Sequence, residues 1–344
     1  LAYRELKAAV KKHNAKSASA IVLDAESGEI LAMVNEPGFN PNSRLERQSQ
    51  LFRNRAVTDV LEPGSTLKPF TIAAALESGR YTPGTWVNTS PGFYKIGSKT
   101  IRDSHNYGRL TVAGVIQKSS NVGAAKIALT IGKQRLWEIL NSVGFGQRTG
   151  SALPGEATGT LRDPDNWVTL DQAVMSYGYG ISVTPIQLAR AYTALANEGN
   201  LVQLTMLPGQ EPVYTENVMS RATAKQILKM LELAAGSQGT GNAAQVRFYR
   251  VAGKTGTVHK LVNGKYSDDD YVALFAGVAP VSNPRLVMVV TVDNPSGDQY
   301  YGGQIAAPVF ANVIAGAMRL LNIPPDAGSK YKKQIVKVKK SGPA

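Results

Sequence analysis

Cysteine is absent from all 344 residues, and histidine occurs only at His13, His105 and His259. The first absence excludes disulfides, a cysteine nucleophile and thiolate metal sites. It leaves the compartment open, because an oxidising space tolerates a Cys-free protein. No histidine falls in an H-E-x-x-H pattern, which speaks against a zinc hydrolase. A G-x-S-x-G elbow is missing as well, so any nucleophilic catalysis is expected to use a base other than histidine. No apolar run reaches the roughly 18–20 residues that a membrane span needs. There is no signal peptide and the chain opens on Leu1, so a fragment of a longer protein is expected.

Apolar residues make up 43% of the chain and charged residues 18%, enough to bury a sizeable core and too apolar for disorder. Length alone allows one large domain or two modest ones. Lysine and arginine number 38 against 25 acidic residues, a net charge of +13. Part of the excess sits at the end, in Lys330, Lys332, Lys333, Lys337, Lys339 and Lys340. A solvated basic tail, or a tether near phospholipid headgroups, accounts for that cluster. Zinc-finger spacing, basic heptads and RNA-binding aromatic motifs are all missing, so nucleic acid is not an expected partner. No metal or cofactor is expected either.

Residues 2–13 pattern as an amphipathic helix, and residues 18–34 as two apolar strands around Glu26-Ser27-Gly28, a hairpin signal. A helix is expected from Pro63 to about Ser78, with Pro69 in the first turn, where backbone N–H groups have no intrahelical partner. Further helices are expected over 122–131, 134–142, from Pro185 to about Asn197, over 221–235 and over 304–321. Residues 149–167, rich in Gly, Pro and Asp, are expected to be irregular. Strands are expected over 248–258, 271–279 and 286–293. Strands at both ends with helices between predict an α+β fold: an antiparallel sheet flanked by helices, plus a mainly helical subdomain. The catalytic domain is expected to span 1–321, with a basic tail over 322–344 after Pro324-Pro325.

Three patterns could carry chemistry. Ser65 and Lys68 stand at i and i+3, so their side chains share a helix face. Ser65 also sits at a helix start, which favours developing negative charge. A lysine can serve as its base if neutral, which near pH 7 requires lowering a pKa of about 10.4 by roughly three units, or about 4 kcal/mol. Burial and a second cation would supply that shift. Alone the pattern is weak, since Ser329 and Lys332 repeat it in the polar tail. The second pattern is Ser119-Ser120-Asn121, whose hydroxyl and amide can reach one cavity. Ser104-His105-Asn106 has the same form, and turns or helix caps explain either triplet on its own. The third is Lys254-Thr255-Gly256-Thr257 in a strand. There Thr255 and Thr257 share a face, and Gly256 leaves room for a peptide to lie close. A cation and two hydroxyls suit a carboxylate.

In order and spacing, the three together resemble the serine transpeptidases known as penicillin-binding proteins and the class A β-lactamases. The segments LEPGSTLKPF (61–70), KSSNVG (118–123), YGYGISVTPIQLARAY (177–192) and GKTGT (253–257) are similar to class B penicillin-binding proteins. IRDSHNYG (101–108) resembles the stretch before the second motif in penicillin-binding protein 3, the septal transpeptidase of Gram-negative bacteria. The likeness runs from about residue 17 to 321. It implies a peptidoglycan D,D-transpeptidase with Ser65 as the acylated nucleophile and Lys68 as general base. It further implies Ser119, Asn121 and Lys254 as catalytic partners, and Thr255, Gly256 and Thr257 as the substrate-binding strand. The N–H groups of Ser65 and Thr257 become the oxyanion hole. Tyr300 and Tyr301 resemble an aromatic wall beside the site, where an ordinary core or surface pair is the other reading. The same likeness implies peptidoglycan stem peptides and β-lactam antibiotics as ligands, and divisome membrane proteins as partners. An inner-membrane anchor and pedestal are implied upstream, with the domain on the periplasmic face.

Three other functions share these motifs. A class A β-lactamase needs a carboxylate within E-x-x-L-N, and Glu138-Ile139-Leu140-Asn141 is one residue short. A D,D-carboxypeptidase or a non-catalytic penicillin-sensing domain would keep the same nucleophile.

Overall fold

The computed structural model describes residues 1–40, 42, 51–262, 264–297 and 299–328. The second S-x-x-K at Ser329–Lys332 and the lysine-rich end lie outside them.

Helix α1 (Ala2–Lys12) leads into a hairpin of β1 (Ser17–Asp24) and β2 (Ile30–Glu36). Helix α2 (Arg55–Thr58) and a 3₁₀ turn (Gly64–Leu67) precede α3 (Lys68–Glu77). Strands β3 (Trp86–Asn88), β4 (Phe93–Ile96), β5 (Lys99–Arg102) and β6 (Arg109–Thr111) make two ribbons, β3 with β6 and β4 with β5. Five helices follow: α4 (Val112–Lys118), α5 (Asn121–Ile131), α6 (Lys133–Ser142), α7 (Thr169–Met175) and α8 (Pro185–Ala196). A third ribbon pairs β7 (Asn200–Val202) with β8 (Tyr214–Asn217) before α9 (Arg221–Ala235). The chain then forms β9 (Ala252–Val262), β10 (Lys265–Ala279), β11 (Leu286–Asp293) and α10 (Gly302–Leu320).

The expected antiparallel sheet is present, and the N-terminal hairpin joins it. Its order is β2-β1-β11-β10-β9, so the strand carrying Lys254 to Thr257 lies at an edge. Central strands are buried on both faces, and period-two alternation sorts their side chains between two cores. Ile21, Leu23, Leu274, Ala276, Val287 and Val289 face the helical subdomain, packing with residues of α3, α5, α8 and α9. Ala20, Val22, Phe275, Met288 and Val290 face the other way, against α1 and α10. Helix α8 is buried along its whole length. It begins with a capping box, in which Thr184 Oγ1 accepts from Gln187 N and Gln187 Oε1 accepts from Thr184 N.

Several boundaries differ from the sequence expectation. The helix expected from Pro63 divides into a 3₁₀ turn and α3, with Pro69 in the first turn of the latter. Strand β10 begins at Lys265 rather than 271, because β9 and β10 run on past the core as a polar, largely exposed hairpin with a register shift between Tyr266 and Tyr271. Its charged residues hide the strand period. Helices α4 and α7 and the three ribbons were not anticipated; each spans seven residues or fewer per element, too few to display a period. Beyond α10, Ile323 is buried, and Asp326 accepts hydrogen bonds from Arg250 N at 2.6 Å and Ser282 N at 3.0 Å. The described start of the tail is therefore docked on the domain. Among the described residues, no helix is long and apolar enough to cross a membrane.

Candidate active site

A cleft of about 430 Å³ opens where the 3₁₀ turn, the turn between α4 and α5, and edge strand β9 converge. Ser65, Ser119, Asn121, Thr255, Thr257 and Tyr301 line it. Ser65 sits on the 3₁₀ turn, where residues i and i+3 eclipse, and its carbonyl accepts the Lys68 N–H. Sequence spacing thus brings Ser65 and Lys68 to one side, through a tighter helix than expected. Among the described residues, the Ser65 hydroxyl makes no side-chain hydrogen bond.

Both lysines are buried, Lys68 at 0% and Lys254 at 1% exposure. Lys68 Nζ donates to the Ser119 carbonyl and to Asn121 Oδ1 at 2.7 Å, and lies 3.2 Å from Ser119 Oγ. Lys254 Nζ donates to Ser119 Oγ at 2.9 Å and to the Thr255 carbonyl at 3.1 Å. Burial, with the Lys254 cation beside it, holds Lys68 well below the ordinary lysine range, against the opposing pull of Asp103. Burial brings Lys254 down to about 7.

Ser119 meets both amines because of its backbone. It ends α4 in the left-handed region at φ +60°, ψ +35°, a strained conformation for a residue with a side chain. Ser120 then caps α5, accepting from Gly123 N at 2.8 Å. Its own hydroxyl donates to Asp103 Oδ2 at 2.6 Å, while Asp103 Oδ1 accepts from Asn121 N at 2.6 Å and Val122 N at 3.0 Å. A carboxylate at a helix N-terminus fits both the free N–H groups and the dipole. Asn121 Nδ2 donates to the Arg102 carbonyl at 3.2 Å, which directs Oδ1 to Lys68.

Asp103 was given no role from sequence. It lies just after β5, 16 residues before Ser119, and the only signal was its place within the IRDSHNYG stretch. The competing Ser104-His105-Asn106 triplet is a turn: Asn106 Oδ1 accepts from Gly108 N at 3.0 Å, and Ser104 Oγ bonds Tyr107 OH at 2.9 Å.

Thr255 and Thr257 line the cleft together, as period two requires. Thr257 Oγ1 accepts from Gly302 N at 3.0 Å, so its hydroxyl proton is available to the cleft. Thr255 Oγ1 pairs with Thr240 Oγ1 at 2.8 Å. A Cβ on Gly256 would lie 3.2 Å from the Pro63 carbonyl oxygen, so glycine allows β9 to approach the turn that carries Ser65. Tyr301 lines the cleft, whereas Tyr300 stacks on Tyr271 with centroids 4.5 Å apart and lines a neighbouring depression.

Residues 18–315 match the family described as the penicillin binding protein transpeptidase domain. The chain belongs to that family. A probable peptidoglycan D,D-transpeptidase PenA of Neisseria flavescens is 44% identical over 325 residues, covering 94% of this transpeptidase chain and 81% of the relative. Peptidoglycan D,D-transpeptidase FtsI of Escherichia coli K12 is 40% identical over 328 residues, 95% of this chain and 55% of FtsI. The chain thus spans little more than half the length of FtsI, and 56% of PenA from Neisseria gonorrhoeae. The transpeptidase domain of Burkholderia pseudomallei penicillin-binding protein 3, in its apo structure, superposes with a TM-score of 0.86 at 44% identity over 94% of each chain.

Proposed function

We propose that the chain cross-links peptidoglycan stem peptides by serine D,D-transpeptidation, in septal wall synthesis on the periplasmic face of the inner membrane, and that β-lactams acylate it. One observation carries the reading: two buried lysines converge on Ser119 Oγ at the floor of a cleft lined by Ser65. The names of the relatives agree with it, and an upstream anchor and divisome membrane partners belong to the same proposal.

A neutral lysine has two N–H donors and one lone pair. In Lys68 the Ser119 carbonyl and Asn121 Oδ1, both obligate acceptors here, take the two donors. The lone pair is left for a hydroxyl proton. As Ser65 Oγ swings toward the amine on substrate binding, Lys68 takes its proton; such contacts tighten in the Michaelis complex. The Oγ–C bond forms at the penultimate D-Ala carbonyl as the peptide C–N bond breaks. The proton passes to the leaving D-Ala amine through Ser119 Oγ, which touches both lysines. N–H groups of Ser65 and Thr257 receive the oxyanion, one such donor being worth about 10²–10³ in rate. Thr255, Thr257 and the Lys254 charge hold the substrate carboxylate. An amine from a neighbouring strand then resolves the ester.

A β-lactamase would need a carboxylate to activate water. Among the described residues lining the cleft, Asp103 is the one carboxylate, and three hydrogen bonds occupy it. Glu138 lies on α6 and is bonded to Gln134.

Intact-protein mass after mixing with benzylpenicillin tests the reading. A long-lived single adduct in wild type, lost in Ser65→Ala, is expected. A fleeting adduct with drug hydrolysis would indicate a β-lactamase, and no adduct on folded protein would overturn the proposal.

A further inference from the structure

Transpeptidation needs a second substrate, and the cleft above accommodates the donor. The acceptor is an alkyl amine, which near pH 7 arrives as an ammonium, with a pKa of about 10.4. In that state it has no lone pair with which to attack.

A second cavity of about 360 Å³ lies next along the same edge strand. Thr255 and Thr257 line the first cleft, and Val258, His259 and Leu261 the second. The divide between them is tight: a Cβ on Gly64 would fall 2.5 Å from Val258 Cγ2. Glu62 lines this second cavity, three residues before Ser65 and on the same loop. Their Cα atoms are therefore at most about 10 Å apart. Oε1 of Glu62 accepts from Gly180 N at 2.7 Å and from Tyr266 OH at 3.1 Å. Oε2 accepts no hydrogen bond among the described residues, yet it is not sealed from the surface.

The other charged groups at this cavity do not oppose a cation strongly. Lys260 Nζ is paired with Asp293 at 2.6 Å. His259 Nδ1 donates to the Ser267 carbonyl at 2.8 Å, which turns that nitrogen away from the cavity's carboxylate. Tyr179, against Glu62, stays protonated, its pKa pushed up to about 12 by burial.

We infer that this second cavity receives the amine-bearing acceptor strand, and that the Glu62 carboxylate draws in its ammonium and takes one proton. The inference rests on the transpeptidase reading above. The freed amine attacks the Ser65 ester: the C–N bond forms, the C–Oγ bond breaks, and the amine's second proton returns to Ser65 Oγ. The proton on Glu62 leaves to solvent. Burial raises the carboxyl pKa, which improves its match to proton transfer near neutrality.

The test uses a thioester acyl donor and two competing acceptors, Nα-acetyl-lysine amide and methanol, in wild type, Glu62→Gln and Glu62→Asp. Glutamine keeps an oxygen for Gly180 and Tyr266 and removes only the charge. Expected is a fall of at least about tenfold in the ratio of aminolysis to hydrolysis for Glu62→Gln, an unchanged methanol ratio, and recovery of amine preference in Glu62→Asp. An unchanged amine ratio would overturn the inference. So would an equal fall with amine and methanol, which would make Glu62 a brace for the loop and leave the proposed function standing. Absence of a Ser65 adduct in wild type would remove both. Should Glu62→Gln not fold, the wild-type ratio at high salt decides: it must fall for the lysine acceptor and not for methanol, since screening acts on charge.

Discussion

Lys68 and Lys254 approach the Ser119 hydroxyl from separate elements, with Nζ at 3.2 Å and 2.9 Å respectively. Two buried ammonium groups sharing one oxygen cannot both stay charged at low cost, because desolvation and mutual repulsion act in the same direction. The site therefore favours an uncharged amine near neutral pH, and the fold carries the cost of two buried amines.

That cost is measurable through pH. Lys254 has a folded pKa of about 7, against about 10.4 when unfolded. A lowered lysine pKa means that the native state binds fewer protons than the unfolded state between those values. Stability from this group therefore rises as pH climbs from about 7 to 10, and the penalty is constant below about 7. Lys254→Met is expected to be more stable than wild type by about 1–3 kcal/mol at pH 7 after loss of its hydrogen bonds. The advantage should vanish near pH 10.5. Urea unfolding of both proteins across this range gives the comparison; parallel curves would refute a lowered pKa at Lys254.

Asp103 tests the support beneath the second motif. Asp103→Asn replaces an acceptor-only carboxylate that receives Ser120 Oγ, Asn121 N and Val122 N. One amide oxygen cannot serve all three as well. The expected cost is about 1–3 kcal/mol in stability, with benzylpenicillin acylation slowed about 10- to 100-fold as Ser119 and Asn121 shift. Thermal unfolding and the time course of the mass adduct report these separately. Full acylation speed in a destabilised variant would confine Asp103 to a structural role.

Gly178 tests the loop that carries Ser65. It adopts φ +87°, a Cβ there would sit 2.1 Å from the Gly64 carbonyl oxygen, and its own carbonyl accepts from Gly64 N at 3.1 Å. Backbone cannot yield as a flexible side chain can. Gly178→Ala is expected to lose more than about 3 kcal/mol and to slow adduct formation. Gly132 has a similar φ of +89° with nothing within 4 Å of the added Cβ. Gly132→Ala should lose only about 1–2 kcal/mol and acylate normally. Equal effects on acylation from the two would show that the contact with Gly64 is immaterial.

Much was legible in the chain itself. The sheet strands, the long helices and the caps at Thr184 and Ser120 depend on residues a few positions apart, so period and capping pattern display them directly. The face shared by Thr255 and Thr257 follows from the strand period, and Ser65 with Lys68 from the helical one. Tertiary structure decided the rest. It placed Asp103 under α5, put Ser119 in the left-handed region, set Glu62 beside a second cavity, and turned Tyr301 into the cleft while its hydrogen-bonded neighbour Tyr300 lines the next depression. Above all it decided the charge of the lysines. A lysine's pKa depends on how much water and which charges surround it, and those are set by residues 68, 103, 119 and 254 meeting across the fold. Local pattern names such residues; only long-range packing makes them a site.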